Sequence, residues 1–315
     1  MRVAVLDDYQ GIALQMADWS PVLARGSVDV FRDHVTDPGE LVDRLAPYDV
    51  VVLMRERTPI PAQVIDALPQ LRLIVSTGRR NPVLDVAAAK ARGITVCGTR
   101  GLSTAPAELT WALILGLARN LVREAGNIAA GRWQTTVGLD LAGRTLGVLG
   151  LGRIGSQVAA VGTAFGMNVL AWSEHLTEER AGACGASAVP LARLLAESDV
   201  VTVHLVLSDR TRGLLGEREL AALRPTALLV NTSRGPIVDQ RALVAALTAG
   251  RLGGAGLDVY DEEPLPFDHP LRSTPRTLLT PHIGYVTEEV YRLFYGDVVE
   301  DIVAFLQGAP VREVG

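Results

Sequence analysis

Cysteine is nearly absent: Cys97 and Cys184 are the two in 315 residues, and they stand far apart. They match no paired metal-ligand spacing and offer no disulfide framework, which fits a reducing cytosol and leaves the fold to packing. Both are expected as small buried hydrophobes. Long apolar runs are missing too. The N-terminus, MRVAVLDDYQ, meets two aspartates after a four-residue apolar run, too short for a signal-peptide core, and no later stretch is long enough to span a bilayer. A soluble, cytoplasmic chain with no membrane partner is expected. Positive charge is not in excess either. The formal net charge is −5, which removes a general basic footprint for nucleic acid while allowing local cationic patches around an anion. Internal repeats and low-complexity tracts are not found.

What the chain does have is a packable interior. Hydrophobic residues make up 48% of it, and the length allows two domains, each with its own core. Strand-like runs recur at 3–6, 28–31, 50–53, 73–76 and 94–97, then at 146–149, 169–172, 200–204, 228–231, 255–259 and 278–280. Helical segments separate them, an alternation that predicts an α/β fold of two doubly wound parallel sheets covered on both faces. Between the two series, residues 107–122 (AELTWALILGLARNLV) are apolar nearly all round, which predicts one buried helix carrying the crossover at a domain junction. Residues 288–306 have apolar positions at helical spacing and are expected to pack back on the first domain. The domains are therefore expected at 1–98 with 287–315 and at 99–286, the chain crossing twice as at a hinge. Ending at Gly315, shortly after the return helix, the chain is expected to carry no appended regulatory domain.

Residues 145–165 read TLGVLGLGRIGSQVAAVGTAF, a short apolar strand, glycines at 150, 152 and 155, and a helix of alanine and valine. Gly150 allows a tight turn, Gly152 lets backbone approach a pyrophosphate, and Gly155 lets the helix pack on the strand. Phosphates then sit on exposed amides at a helix N-terminus, where the dipole also favours negative charge. A dinucleotide site in a Rossmann-type cofactor domain is predicted.

In open parallel sheets, ligands lie beyond the carboxyl ends of the strands. Polar residues gather there. His204 closes one strand, Asn231-Thr232-Ser233-Arg234-Gly235 follows the next, Asp258 lies within the next, and Thr280-Pro281-His282-Ile283-Gly284 follows the last. Each has a plainer reading: Arg234 in a surface ion pair, Asp258 bracing a turn, His204 a structural residue. His34, His175 and His269 stand in polar, loop-like contexts and are expected to be solvated.

The loop GLGRIG, the run NTSRGPIVD, the segment GLDVYDEEP and the turn TPHIG occur in the order found in the D-isomer-specific 2-hydroxyacid dehydrogenases. Over nearly its whole length the chain resembles that family, which includes D-3-phosphoglycerate, glyoxylate/hydroxypyruvate and D-lactate dehydrogenases. The resemblance implies a Rossmann-type cofactor domain inserted in a flavodoxin-like substrate domain. It also implies hydride transfer between a nicotinamide and C2 of a small 2-oxo or 2-hydroxy acid. The family's catalytic arginine falls on Arg234, its glutamate on Glu263 and its histidine on His282. These residue types suit the chemistry. Reducing a ketone builds negative charge on oxygen, so a proton donor of near-neutral pKa is needed, which is histidine. A neighbouring carboxylate stabilises the imidazolium and fixes the ring. Arginine holds a carboxylate and a ketone oxygen in fork geometry, which the point charge of lysine does less well.

For the cofactor, the resemblance places the amides of Arg153 and Ile154 at the pyrophosphate, and Thr232 and Asp258 along the nicotinamide side. His204, Ser233 and Gly284 complete the candidate cofactor contacts. At the end of the second strand, where NAD-dependent folds put a carboxylate on the ribose 2′-hydroxyl, the family's usual aspartate is replaced by Ser173. Glu174 follows it, able to reach the ribose and to repel a 2′-phosphate, and no arginine is immediately adjacent to receive one. NAD is favoured and NADP stays open; no metal is expected.

For the substrate, Arg55-Glu56-Arg57-Thr58 resembles the family's R-S-R-T loop, whose first arginine helps to bind an anionic group. That carries over to Arg55, with a salt bridge to Glu56 or Asp85 as the alternative. Family members usually carry T-G-x-G-x-D-N-I-D after the fourth strand, where this chain has Thr77-Gly78-Arg79-Arg80-Asn81-Pro82-Val83-Leu84-Asp85. Amides at Gly78 and Arg79 can form a carboxylate nest with positive charge at its mouth. The family commonly forms homodimers through its cofactor domain, and residues 102–132, with Trp111 and Trp133, are the candidate surface, a core role for the tryptophans being the alternative. A second reading of the chain is a dinucleotide-sensing, co-repressor-like interaction protein without turnover. The intact set Arg234, Glu263 and His282, with no obvious basic or disordered extension, speaks for the enzyme.

Overall fold

The apolar runs of the first series show little polar alternation, the pattern of strands buried on both faces. In the computed structural model, which describes residues 1–314, they form β1 (Arg2–Val5), β2 (Ser27–Val30), β3 (Val50–Leu53), β4 (Leu73–Ser76) and β5 (Thr95–Gly98). All pair in parallel, in the order β2-β1-β3-β4-β5, which is that of flavodoxin-like sheets. Every residue of β3 and β4 is buried, whereas β2, at the edge, is partly exposed. The helix Glu288–Leu306 packs against β4 and the short helix Ser20–Leu23. Its start is capped by Thr287, whose Oγ1 accepts from the Val290 amide at 3.3 Å.

The second series forms β6 (Thr145–Leu149), β7 (Asn168–Trp172), β8 (Ser187–Ala188), β9 (Val200–Val203), β10 (Leu228–Asn231), β11 (Gly254–Leu257) and β12 (Thr277–Leu279). The order is β12-β11-β10-β9-β6-β7-β8, again all parallel. Strand side chains alternate between faces. Leu149, Val201, Val203, Leu229 and Leu257 therefore enter one core, while Val148, Val200, Leu228 and Val230 enter another with Trp111 and Ile114. Chain order reverses between β6 and β9, which is where a doubly wound sheet opens a crevice at its carboxyl edge. Two units result, Met1–Leu102 with the segment from Thr287, and Ser103–Val286.

The single helix expected over 107–122 is two, Thr104–Ala118 and Leu121–Ala129. Asn120 stands between them at φ +52°, a left-handed turn that asparagine tolerates and that ends the first helix. This first helix is apolar all round because it is buried within the second unit, against the helix Arg153–Ala164 and strands β10 to β12. Strand β8, two residues long, carries too little pattern to be read from sequence. His34 is not solvated: its Nδ1 lies 2.9 Å from Asp7 Oδ1 and its side chain is 10% exposed. Cys97 is buried, and burial pushes its thiol up to about 12, whereas Cys184 is half-buried. Among the described residues no helix is long and apolar enough to cross a membrane.

Candidate active site

At the end of β6 each glycine has a separate reason. Gly150 turns at φ +97°, and a Cβ on it would stand 2.7 Å from the His204 carbonyl oxygen, so the two loops flanking the crevice pass backbone to backbone. A Cβ on Gly155 would lie 2.1 Å from the Gly150 carbonyl oxygen, so the helix Arg153–Ala164 rests directly on the turn. Nothing lies within 4 Å of a Cβ on Gly152, leaving open space over the loop. Ser156 donates the first helical bond, to the Gly152 carbonyl at 2.9 Å, so the amides of Arg153, Ile154 and Gly155 have no helical acceptor. An open glycine before unpaired amides at a helix N-terminus fits a pyrophosphate. His204 adds an enclosed Nε2 with no protein partner. Burial lowers its pKa to about 4, so the ring is neutral at physiological pH and has one hydrogen bond to give or take.

After β10 the chain turns on Asn231. Its Oδ1 accepts from the Ser233 amide at 3.0 Å and its Nδ2 donates to the Arg234 carbonyl at 2.9 Å. Ser233 Oγ donates to the Leu205 carbonyl, tying this loop to the one after β9. Thr110 donates its hydroxyl proton to the Pro106 carbonyl at 2.8 Å, so Thr232, 2.8 Å from Thr110 Oγ1, is the donor in that pair. Arg234 is half-buried on extended backbone, and its Nη1 donates to the Ser233 carbonyl at 2.7 Å. Gly235 brings this loop against the next: a Cβ there would lie 2.1 Å from the Tyr260 carbonyl carbon.

Tyr260 hands the geometry on. Its amide donates to Glu263 Oε1 at 2.9 Å, and the other carboxylate oxygen, Oε2, lies 2.5 Å from His282 Nδ1. An ionised carboxylate accepts only, so Nδ1 carries the hydrogen and Nε2 is left for chemistry. His282 sits at φ +52°, a region that non-glycine residues enter at a cost of about 1 kcal/mol or more. The brace is Asp258. It is fully buried, and it accepts from Thr280 Oγ1 at 2.6 Å, the Ile283 amide at 2.8 Å and the Gly284 amide at 2.8 Å. Burial raises its pKa, against these bonds, which lower it. Asp258 therefore braces the turn that carries His282, the plainer of its two readings, and the Gly284 amide is one of its partners.

The adenosine end lies at the carboxyl end of β7. Ser173 is half-buried and bonds through its carbonyl to the Leu176 amide at 3.0 Å. Glu174 is exposed, and the guanidinium of Arg210 lies 2.8 Å from its Oε2, with His175 Nε2 at 3.9 Å. No arginine is adjacent in sequence, but the fold supplies one from the loop after β9. That loop is shaped by Thr211, whose Oγ1 accepts from the Ser208 amide at 2.8 Å and donates to the Val206 carbonyl at 2.7 Å.

In the first unit, Arg55 follows β3 at φ +55°, with its amide donating to Thr77 Oγ1 at 2.9 Å and its guanidinium 3.6 Å from Glu56 Oε1. Gly78, at φ +91°, makes room for it: a Cβ there would lie 1.9 Å from Arg55 Nη1. The Gly78 amide donates to Thr99 Oγ1 at 2.7 Å, which removes it from the expected carboxylate nest. Arg79 and Arg80 are both exposed.

The family described as D-isomer specific 2-hydroxyacid dehydrogenase, NAD binding domain, matches residues 111–284. A glyoxylate reductase of Korarchaeum cryptofilum is 36% identical over 289 residues, 89% of this chain and 87% of that protein. A D-3-phosphoglycerate dehydrogenase of Synechocystis sp. is 37% identical over 87% of this chain but only 50% of its own length. The crystal structure of a putative D-3-phosphoglycerate dehydrogenase from Ralstonia solanacearum superposes with a TM-score of 0.93 at 38% identity, covering 99% of this chain and 96% of that one. With its two parallel sheets and its glycine loop, the chain belongs to the D-isomer specific 2-hydroxyacid dehydrogenases, NAD-linked oxidoreductases that move a hydride between nicotinamide and 2-oxo acids.

Proposed function

We propose that this protein reduces a small 2-oxo acid of the glyoxylate or hydroxypyruvate kind to the D-2-hydroxy acid, with Arg234, Glu263 and His282 as its catalytic residues. The observation that carries this is the 2.5 Å contact of His282 Nδ1 with Glu263 Oε2, which directs Nε2 away as the proton-transferring atom. A bound nicotinamide supplies the hydride. Arg234 holds the substrate carboxylate and polarises the ketone oxygen, which gains charge as the hydride arrives. His282 Nε2 delivers the proton to that oxygen, and Glu263 stabilises the imidazolium that does so. Asp258 is a positioning residue, holding the backbone of Ile283 and Gly284 so that His282 keeps its left-handed conformation. The likeness to a glyoxylate reductase along most of that protein's length favours a small acid over 3-phosphoglycerate. Arg79 and Arg80 give the edge of the first sheet a positive field that attracts anions.

The test is a panel of 2-oxo acids with NADH, followed by loss of reduced-nicotinamide absorbance over a salt series. Turnover is expected with glyoxylate or hydroxypyruvate, with a KM that rises with salt. Binding of NADH without turnover on any acid of the panel would instead support the sensor reading. We also propose a cytoplasmic homodimer, supported by Leu121, Val122, Ile128 and Trp133, large apolar side chains left exposed in one stretch of the second unit. Light scattering is expected to give twice the chain mass, and a monomer at micromolar concentration would remove the proposal. Trp111 takes no part in that surface, being buried with Nε1 donating to the Val158 carbonyl at 3.2 Å.

A further inference from the structure

The carboxyl end of β7 is where this fold meets the ribose of a dinucleotide. Three features coincide there. The position that ordinarily holds a ribose-binding acid carries the uncharged Ser173. The acid beside it, Glu174, is paired at 2.8 Å with Arg210, which arrives from the loop after β9. Both partners are more than half exposed, with side chains 53% and 72% accessible, so solvent screens the pair and little holds it closed. His175 Nε2 lies 3.9 Å from the same carboxylate oxygen and completes a small polar group.

We propose that Glu174 and Arg210 form an exchangeable pair that lets one site accept coenzymes with or without a 2′-phosphate. The inference rests on the reading of this protein as a nicotinamide-dependent reductase. With an unsubstituted ribose, Glu174 accepts from the hydroxyl groups and Arg210 turns to solvent. With a 2′-phosphate, Arg210 leaves Glu174 and binds the phosphate, whose charge and three oxygens suit a guanidinium better than a carboxylate does. Among the described residues, Arg210 is the cation with which Glu174 makes an ion pair other than the His175 imidazole, and the loop that carries it is internally bonded through Thr211.

Titration calorimetry with NADH and with NADPH, on the unmutated protein and on Arg210→Ala, Arg210→Lys and Glu174→Gln, tests this without turnover. The unmutated protein is expected to bind the two coenzymes within about tenfold of one another. Arg210→Ala should weaken NADPH by about tenfold or more, with NADH held within about twofold or tightened. Arg210→Lys should recover part of the NADPH affinity, since a point charge replaces a fork. Glu174→Gln should tighten NADPH and weaken NADH, reversing the order of the alanine variant. A merely structural ion pair would move both coenzymes together. If NADH binds and NADPH affinity ignores Arg210, or if the unmutated protein rejects NADPH by more than a hundredfold, the exchange is overturned while the reductase reading stands. If NADH itself does not bind, both fall.

Discussion

Replacing His282 with alanine is expected to lower the turnover number for 2-oxo acid reduction by about 10²- to 10⁴-fold, the range that a positioned general acid contributes. On the scale of 1.36 kcal/mol per tenfold, this is about 3–5 kcal/mol of transition-state stabilisation. NADH affinity, measured by calorimetry, should stay within about threefold, because the glycine loop at Gly150–Gly155 and the ring of His282 belong to different strand ends. The prediction separates His282 from a structural histidine. A residue that merely fills space would alter stability and both kinetic constants together, whereas a proton donor acts in the transition state and lowers kcat and kcat/KM alike. Its left-handed backbone, held by Asp258 through the Ile283 and Gly284 amides at 2.8 Å each, remains available to alanine. The loop is therefore expected to keep its shape without the ring. Turnover within tenfold of the unmutated protein would remove His282 from the mechanism.

What was legible beforehand follows from the range of the interactions concerned. The glycine loop could be read residue by residue because each requirement is local: a positive φ at Gly150, open space at Gly152, and helix against turn at Gly155. Both sheets were legible because strands buried on two faces write uninterrupted apolar runs, and β8, with two residues, wrote none. Less visible was anything settled between distant loops. Asp258 reads equally as a cofactor contact or a brace until the fold sets the amides of Ile283 and Gly284 on its oxygens. Gly78 looked like part of an anion nest, but its amide is taken by Thr99, whose place beside it follows from the pairing of β4 with β5. Arg210 left no signal near Glu174 in the chain, since the two loops meet only once β6 and β9 are neighbours. The break at Asn120 was readable in principle from an asparagine after Arg119, and the nearly continuous apolar run around it masked it.

Arg234→Lys is expected to lower kcat/KM by about 10²- to 10³-fold although the charge is kept, a loss of about 3–4 kcal/mol at 1.36 kcal/mol per tenfold. The reason lies in how the side chain is presented. Asn231 fixes the loop by accepting from Ser233 and donating to the Arg234 carbonyl, and Gly235 presses the loop onto the backbone at Tyr260, so the arginine leaves a rigid base. Its Nη1 already donates to the Ser233 carbonyl at 2.7 Å, which sets the plane of the guanidinium. A planar guanidinium presents several N–H donors in fixed directions, a fork that can meet a carboxylate and a ketone oxygen together. Lysine has one nitrogen. If it bonds Ser233 it cannot reach the substrate with the same geometry, and if it turns to the substrate the Ser233 carbonyl loses its donor. The kinetic constants should divide accordingly, KM rising through the weaker hold on the carboxylate and kcat falling through the weaker polarisation of the ketone. Initial-rate kinetics on the best acid of the panel, with NADH saturating, decide the matter. A kcat/KM within fivefold of the unmutated enzyme would assign Arg234 to loop structure, and a loss of kcat/KM arising wholly from a raised KM would leave it the carboxylate while taking away the ketone.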